Sequence, residues 1–322
     1  MGKEKVIYEV CYPTYCTYRY HFHGLDSTQL FCKRNKKEFI ESKKLKDETS
    51  IIAVSCNYQT NGIGTRDTKS GVNKIWVSEI GNLFISFVFL WKKSLYQKVG
   101  CLSQAATVAI SKTLEKYNLK CQIKWINDVY INNKKISGCI VNVCDVNYDN
   151  DDDHDTTLYT RNTLKFINND YVYIITGIGI NIALDNDQTI LNNDFTSMKR
   201  EIQKKQDNDN DVSDDNNSES SNNNNNNRVT PSVERVTETL IEQFYIVICT
   251  LIKEGFTSFL DYITIRLLYK DKQVLIDQDN NKIIGYIKGI SDDGSIILVN
   301  DHNQTIHVNT GRLFLYQENC DL

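Results

Sequence analysis

The spacing of apolar residues predicts strands and helices along most of the chain. Short apolar runs rich in β-branched residues predict strands, and these runs lie at 51–58, 83–91 and 171–176. Apolar residues between Val99 and Leu114 recur at steps of three and four, which predicts an amphipathic helix over 99–117. Residues 233–251 and 254–268 have the same helical spacing. The pattern therefore favours an α+β fold in which helices pack on a mixed sheet.

The segment 121–143 has the pattern of a β-hairpin. Polar and apolar residues alternate over 121–131 and again over 135–143, and Asn132-Asn133 between them is typical of a tight turn. Paired strands place opposite residues side by side. We therefore expect the lysines, the amide and the acid of this hairpin to share one neighbourhood.

After residue 269 the pattern changes to short apolar runs separated by turns rich in Asp, Asn and Gly. These runs predict strands at 274–276, 282–290, 295–299 and 304–308. Strands this short and evenly spaced are typical of a small β-barrel. We predict two domains, the larger over 1–269 and the small barrel over 270–322.

Two polar segments interrupt the larger domain, at about 145–157 and 201–230. The first is mostly Asp and Asn, and the second contains a run of asparagines. Neither can bury enough apolar surface to offset the entropy lost on folding. We predict that both are disordered insertions, and their consecutive carboxylates lack the spacing of a metal site.

Composition limits the possible classes of protein. A formal net charge of −4 over 322 residues argues against a nucleic-acid partner. Ten cysteines without a C-x-x-C pair indicate reduced thiols and no structural metal. The longest apolar run, 83–91, is far shorter than the ~20 residues that cross a bilayer. We expect a soluble protein without a membrane partner, located in the cytoplasm or an organelle.

Two stretches rich in small and polar residues follow predicted strands. The stretch 25–28, Leu-Asp-Ser-Thr, is typical of a helix N-cap, and its hydroxyls could also hold a small polar ligand group. The stretch 59–66 contains two glycines and ends in Arg66, so its backbone could approach an anion closely. Each has a simpler interpretation, as an ordinary cap and as an ordinary flexible turn.

Two further stretches carry candidate chemistry. The stretch 124–128, Lys-Trp-Ile-Asn-Asp, faces 134–138 across the predicted hairpin, although exposed lysines on a hairpin also serve solubility alone. The stretch 177–181, Gly-Ile-Gly-Ile-Asn, ends an apolar strand, where small residues permit close approach of a ligand or a structural bulge.

Taken together and in this order, the four stretches resemble the biotin protein ligase family over residues 20–182. The resemblance implies a class II synthetase-like catalytic domain, and the tail is similar to that family's SH3-like carboxyl-terminal domain. It also implies a two-step reaction. Biotin and ATP first give biotinyl-adenylate and pyrophosphate, and a lysine of a biotin carboxyl carrier domain, for example that of acetyl-CoA carboxylase, then takes the biotinyl group.

The resemblance also assigns residues to roles. The catalytic set comprises Lys135, Arg66, Lys124 and Asp128. The substrate-binding set comprises Ser27, Thr28, Gln29, Gln59, Gly62, Ile63, Gly64, Thr65, Trp76, Asn127, Gly138, Gly179 and Asn181. Ser27, Thr28 and Gln59 would bind the ureido ring of biotin. Lys135 would bridge the carboxylate and the α-phosphate, and Asp128 would position Mg²⁺ with ATP. A homodimer is possible.

The sequence departs from the family pattern at two places. The family has Gly-Arg-Gly-Arg where this chain has Gly-Ile-Gly-Thr at 62–65, so we expect Arg66 to replace the missing arginine. The family's proline in Lys-Trp-Pro-Asn-Asp is Ile126 here. Proline restricts φ and supplies no functional group, so this change loosens the backbone more than the chemistry.

Two other functions compete with biotin ligation. A lipoate ligase or octanoyltransferase has the same fold, but a fatty acyl chain needs no polar rim like that predicted around Gln59. A catalytically silent, biotin-dependent regulator would carry an amino-terminal helix-turn-helix domain, and too few residues precede Asp26 for one.

Overall fold

The computed structural model describes residues 5–42, 44–66, 73–144, 171–184, 195–211, 229–278 and 281–316. The first predicted insertion, 145–157, lies outside these ranges, as does 212–228 of the second. Among the described residues, no helix is both long and apolar enough to span a bilayer.

Ten strands lie in the described residues before 185. They are β1 Val6–Tyr12, β2 Thr17–Leu25, β3 Ile51–Gln59, β4 Ile63–Arg66, β5 Asn73–Ile75, β6 Leu83–Lys92, β7 Gln122–Lys124, β8 Asp128–Ile131, β9 Lys134–Cys144 and β10 Tyr171–Ile180. Eight of them form one sheet in the order β1-β2-β3-β6-β10-β9-β8-β7, and β4 pairs with β5 as a separate ribbon. Among the strands that the structure describes, only β2 and β3 pair in parallel, so the sheet is mixed, as predicted.

In the part of the chain that the structure describes, six α-helices cover the sheet or follow it. They are α1 Thr28–Arg34, α2 Lys36–Glu41, α3 Leu102–Glu115, α4 Met198–Asp211, α5 Val233–Lys253 and α6 Leu260–Arg266. Three 3₁₀ helices lie at Pro13–Tyr15, Lys93–Cys101 and Phe256–Phe259. The predicted helix over 99–117 is thus mostly α3, and the one over 254–268 is divided into a 3₁₀ turn and α6.

Apolar clusters lie on both faces of the sheet. On one face α3 packs against β9 and α5 packs against β6, where the rings of Phe87 and Phe244 stack with centroids 4.0 Å apart. On the other face α1 and α2 pack against β2 and β3, where Phe31 meets Phe22 at 4.7 Å. Because β3, β6 and β10 are covered on both faces, their sequences are continuous apolar runs rather than alternating ones.

Arg19 on β2 is buried to 1% exposure yet fully partnered. Its guanidinium donates to Glu234 Oε1 at 2.6 Å, at the start of α5, and to Ser55 Oγ at 2.9 Å. His21, two residues along, contacts Asn57 Oδ1 at 3.0 Å through Nε2. The bond between Arg19 and Glu234 attaches the beginning of α5 to the sheet, and the other two join β2 to β3.

The predicted strand over 121–131 is wrong in one respect, since it is two strands. β7 and β8 pair with each other in antiparallel fashion, and a turn over 125–127 joins them. Trp125 in that turn is buried, so the alternation of apolar residues continues through a turn. The second turn is as predicted, with Asn132 and Asn133 both at positive φ.

The tail forms a separate antiparallel sheet of five strands. They are β11 Gln273–Gln278, β12 Asn281–Ile290, β13 Ile296–Val299, β14 Thr305–Val308 and β15 Arg312–Leu315, arranged in the order β14-β13-β12-β11-β15. Four of these strands were predicted and β15 was not. The sheet agrees with a small β domain after residue 269.

The prediction of disorder over 201–230 is wrong for its first part, because α4 extends to Asp211. Three of the side chains of α4 are buried by tertiary contacts, those of Met198, Glu201 and Ile202. Ile202 packs into the core, and Glu201 accepts bonds from Thr196 Oγ1 at 2.5 Å and Asn132 Nδ2 at 2.7 Å. Contacts with distant residues therefore stabilise a helix that its polar composition alone disfavours.

Candidate functional site

A cavity of about 170 Å³ opens beside β10, between α1, the β4–β5 ribbon and the β8–β9 hairpin. Fourteen of the predicted site residues line it: Ser27, Thr28, Gln29, Gln59, Ile63, Gly64, Thr65, Trp76, Asn127, Asp128, Lys135, Gly138, Gly179 and Asn181. Stretches far apart in sequence therefore meet at one place. We refer to Ser27, Thr28, Gln29, Gln59 and Ser86 as the neutral end, and to Lys74, Asn127, Asp128 and Lys135 as the charged end.

The neutral end begins at the start of α1. Ser27 is the N-cap, and its hydroxyl accepts from Gln29 N at 3.2 Å, as the sequence predicts. The next residue, Thr28, donates to Gln59 Oε1 through its amide at 2.8 Å and through its hydroxyl at 3.2 Å. Gln59 Nε2 donates to Ser78 Oγ at 2.9 Å, so the Gln59 amide group has a fixed orientation.

Ser86 on β6 completes the neutral end. Its fully buried hydroxyl lies 2.9 Å from Thr28 Oγ1 and 2.9 Å from Gln29 Oε1. Gln29 Nε2 in turn donates to Asn142 Oδ1 at 2.7 Å and to Ile175 O at 3.1 Å. The polar atoms of Gln29 are thus engaged with protein, which makes it a residue that orients its neighbours.

Two glycines of β10 make room along the cavity. A Cβ atom at Gly179 would lie 2.6 Å from the Trp76 indole, and one at Gly177 would overlap Gln29 Oε1. Both residues face the cavity from the same side of β10, because they are two positions apart. The glycine pair therefore lets side chains from both ends close over the strand.

The charged end lies on the β8–β9 hairpin. Lys135 Nζ is 2.7 Å from Asp128 Oδ1, and the two side chains are 19% and 20% exposed. The same ammonium lies 5.2 Å from the centroid of the Trp76 ring, within cation–π range. Trp76 Nε1 is buried with no hydrogen-bond partner in the described part of the chain, so a donor is available beside the lysine.

Lys124 lies behind this end rather than in it. Burial lowers the pKa of Lys124, and Lys135 and Lys74 lower it further, while Asp128 raises it. Its Nζ lies 5.7 Å from the Tyr130 ring and 5.8 Å from the Phe314 ring of the C-terminal sheet. Three lysines thus converge near one carboxylate, and the region is strongly cationic.

Backbone contacts fix the remaining polar groups. Asn127 Nδ2 donates to Cys139 O at 2.8 Å, which leaves its carbonyl oxygen available. Asn181 Nδ2 donates to Thr196 O at 3.1 Å. Burial raises the pKa of the Cys139 thiol, so Cys139 lines the cavity as a neutral group.

The remaining predicted site residues are placed differently. Gly62 lies next to the cavity without lining it, and a Cβ atom there would overlap Trp76 O. The backbone of Arg66 ends β4, and its side chain lies outside the described part of the structure. Sequence reasoning missed Lys74 and Ser86. Ser86 interrupts an apolar run on the cavity side of β6, which is the signal that could have identified it.

The site offers few ligands to a resident metal ion. Among the described residues, Asp128 is the one carboxylate that lines the cavity, and no three His, Cys, Asp or Glu side chains converge. Mg²⁺ in nucleotide sites is often held by one or two carboxylates together with phosphates. Asp128, with Asn127 beside it, therefore fits an ion that arrives with a nucleotide.

The arrangement as a whole suits a ligand with two different ends. Hydroxyl and amide groups at the neutral end can exchange hydrogen bonds with an uncharged polar group. Lysines at the charged end can neutralise negative groups. Glycines and apolar side chains such as Phe84 and Ile178 line the space between.

Sequence and fold comparisons agree with this arrangement. Residues 25–148 match the biotin/lipoate A/B protein ligase family. No curated protein matches the chain by sequence. The fold is similar to biotin protein ligase from Aquifex aeolicus in complex with biotin and ATP, with 19% identity, a TM-score of 0.63, and coverage of 93% of this chain and 99% of that one.

Other solved structures share the fold. The apo form of the Aquifex aeolicus enzyme has 17% identity and a TM-score of 0.58, covering 93% and 99% of the two chains. A biotin protein ligase-like protein of unknown function from Silicibacter sp. TM1040 has 12% identity and a TM-score of 0.56, covering 94% and 97%. The chain therefore has the fold of biotin protein ligases, and its residues 25–148 are similar to the biotin/lipoate A/B protein ligase family.

Proposed function

We propose that the protein is a biotin protein ligase, which uses ATP to attach biotin to a lysine of a biotin carboxyl carrier domain. The observation that carries the proposal is the polarity of the cavity, with hydrogen-bonding groups at one end and lysines at the other. Biotin has the same polarity, because a cyclic urea lies at one end of the molecule and a carboxylate at the other.

The neutral end suits the cyclic urea. A urea offers one carbonyl acceptor and two N–H donors in a rigid ring, and Ser27, Thr28 and Gln59 offer matching hydroxyl and amide groups. Because Ser86 and Ser78 hold Thr28 and Gln59 in place, these groups are oriented before a ligand arrives. Such preorganisation reduces the entropy lost on binding.

The charged end suits the first chemical step. An oxygen of the biotin carboxylate attacks the α-phosphorus of ATP, the bond to the β-phosphate bridging oxygen breaks, and pyrophosphate leaves. Two negative groups must meet for this, and their repulsion opposes the reaction. In this proposal Lys135 lies between them and stabilises the charge that develops, while Asp128 and Asn127 position the magnesium nucleotide.

The second step transfers the biotinyl group to the carrier. The amine of the acceptor lysine attacks the mixed anhydride, AMP leaves, and an amide bond forms. Arg66 would retain the adenylate until the acceptor arrives, a role that rests on its position in the sequence immediately after the glycine loop. A carrier domain as partner, the cytoplasmic location and a homodimer remain predictions of the same proposal.

The proposal is tested by incubating the purified protein with biotin, MgATP and a biotin carboxyl carrier domain. We expect a streptavidin-reactive carrier and one pyrophosphate released per biotin attached. A carrier whose acceptor lysine is replaced by arginine is the matched control and should remain unlabelled.

The same assay separates the alternatives. Lipoate in place of biotin, with a lipoyl carrier domain, tests the lipoate ligase reaction of the same fold, and octanoyl transfer is tested with an octanoyl donor. Modification of the lipoyl domain but not of the biotin carrier would contradict the proposal. Binding of biotin without any pyrophosphate release would indicate a catalytically silent binding protein.

A further inference from the structure

The carbonyl oxygen of Gly294 joins the C-terminal sheet to the candidate site. It accepts a hydrogen bond from Gln104 Nε2 on α3 at 2.7 Å and another from Trp125 Nε1 at 3.1 Å. Gln104 is 2% exposed and Trp125 is 4% exposed. Because both donors are buried, water cannot easily replace the carbonyl if it moves.

The turn that carries Gly294 has one well-defined shape. Asp293 Oδ1 accepts from Ser295 N at 2.9 Å and from Ser291 Oγ at 2.6 Å, which closes the turn between β12 and β13. Gly294 has a φ of +83°, and a Cβ atom there would lie 2.6 Å from Gln104 Nε2. The position therefore favours glycine for both its conformation and its space.

Trp125 connects this turn to the charged end. It begins the turn over 125–127 between β7 and β8, and two residues later Asn127 donates to Cys139 O at 2.8 Å. Asp128 follows and pairs with Lys135 at 2.7 Å. A change in the position of Trp125 would therefore move Asn127 and Asp128, which both line the cavity.

Gln104 supports the same place from the other side. Its Oε1 is buried without a hydrogen-bond partner in the described ranges, so the orientation of its amide depends on the bond to Gly294. The preceding residue, Ser103, accepts from the thiol of Cys139 at 3.3 Å through its carbonyl oxygen. The amino-terminal turn of α3 thus contacts both the C-terminal sheet and the wall of the cavity.

We propose that Trp125 and Gln104 are positioning residues that act through the Gly294 carbonyl, so that the C-terminal sheet sets the geometry of the nucleotide end of the cavity. The inference rests on the proposed function, since that function places MgATP at Asn127 and Asp128. Gly294, Trp125 and Gln104 together form the junction between the C-terminal sheet and the cavity. The neutral end has no bond to this junction among the contacts described above. The junction therefore affects use of ATP and leaves binding of biotin unchanged.

Trp125→Phe is the first test, because it removes the indole N–H and keeps an aromatic ring. We expect kcat/KM for ATP in biotin-dependent pyrophosphate release to fall about tenfold, as misplaced reacting groups commonly cause. The dissociation constant for biotin alone should stay within about twofold of wild type. Trp91→Phe is the matched control, because buried Trp91 donates to Leu95 O at 2.9 Å far from the cavity.

The comparison between these two variants decides the inference. Equal kcat/KM values for ATP in Trp125→Phe and Trp91→Phe would overturn it, and so would an equal loss of ATP use and biotin binding in Trp125→Phe. Gln104→Met provides a second variant if Trp125→Phe does not fold, and it should show the same selective loss.

Hydrogen exchange supplies a measurement that does not depend on activity. Amides within 122–131 should exchange faster in Trp125→Phe and Gln104→Met than in wild type, while those of β6 should not change. If wild type releases no pyrophosphate with biotin, the proposed function fails, and exchange still tests the junction. Unchanged exchange over 122–131 would then overturn the inference on its own.

Discussion

At the neutral end of the cavity, Thr28, Gln59 and Ser86 satisfy one another with hydrogen bonds. At the charged end, Lys135 and its neighbouring lysines share a single carboxylate, Asp128. The groups of the neutral end are therefore held in place by protein contacts alone, whereas the charged end has an excess of positive charge. In the proposed function, the neutral end selects the ligand by shape and hydrogen bonding, and the charged end promotes the reaction by attracting anions.

Lys135→Ala should have the largest effect, because it removes the charge at the reacting end. We expect biotin-dependent pyrophosphate release to fall at least about 100-fold, a loss of ~3 kcal/mol in transition-state stabilisation. Biotin affinity should fall much less, since the neutral end is intact. Lys92→Ala is the control, because Lys92 pairs with Glu48 at 2.9 Å away from the cavity. Similar kcat values in the two variants would contradict the role of Lys135.

Gly177→Ala should break the neutral end instead. The added Cβ would overlap Gln29 Oε1 and displace the amide that Ser86 and Asn142 hold. Overpacking of this kind costs about 2 kcal/mol, so the dissociation constant for biotin should rise roughly 30-fold. Titration calorimetry with biotin measures this rise, and an affinity equal to wild type would show that the neutral end does not bind the ligand.

Ser86→Ala should weaken the neutral end by a smaller amount. It removes one buried hydroxyl and leaves Thr28 and Gln29 each without a possible bond. We expect biotin affinity to fall roughly fivefold, about 1 kcal/mol. Ser111→Ala is the matched control, since the Ser111 hydroxyl is buried without a partner in the described structure. Equal affinities in the two variants would remove Ser86 from the site.

Lys124→Met should change stability and its dependence on pH. Burial lowers the pKa of Lys124 below its usual 10.5, so the folded protein releases this proton at a lower pH than the unfolded chain. The free energy of unfolding of wild type minus that of the variant should therefore increase as the pH rises toward 10.5. Urea unfolding at a series of alkaline pH values measures this difference, and a difference that stays constant with pH would contradict the burial of the charge.

The sequence was sufficient for local features of the fold and site. The hydroxyl cap at Ser27, the asparagine turn after β8 and the glycines of β10 follow from residue type and spacing. It was insufficient where distant contacts decide the structure. Helix α4 forms because Glu201 and Ile202 are buried by other segments, and its polar composition gives no sign of this.

The candidate site shows the same division. Ser86 lies within an apolar strand whose pairing partner cannot be read from its own residues, so its bonds to Thr28 and Gln29 are visible only in the fold. Trp125 continues the alternation of a strand although it begins a turn, because the Gly294 carbonyl stabilises its buried indole. Both side chains serve the site through neighbours that are distant in sequence.

The hydroxyl of Ser86 has one hydrogen atom and two acceptors at equal distance, Thr28 Oγ1 and Gln29 Oε1. When this hydrogen points to Thr28, the Thr28 hydroxyl accepts from Ser86, and when it points to Gln29, the Thr28 hydroxyl can donate to Ser86. No heavier atom moves between the two arrangements. The Thr28 hydroxyl can thus accept a hydrogen bond from a ligand or donate one to it. An incoming molecule would settle the choice, and the protein would adapt its polarity at almost no cost in packing.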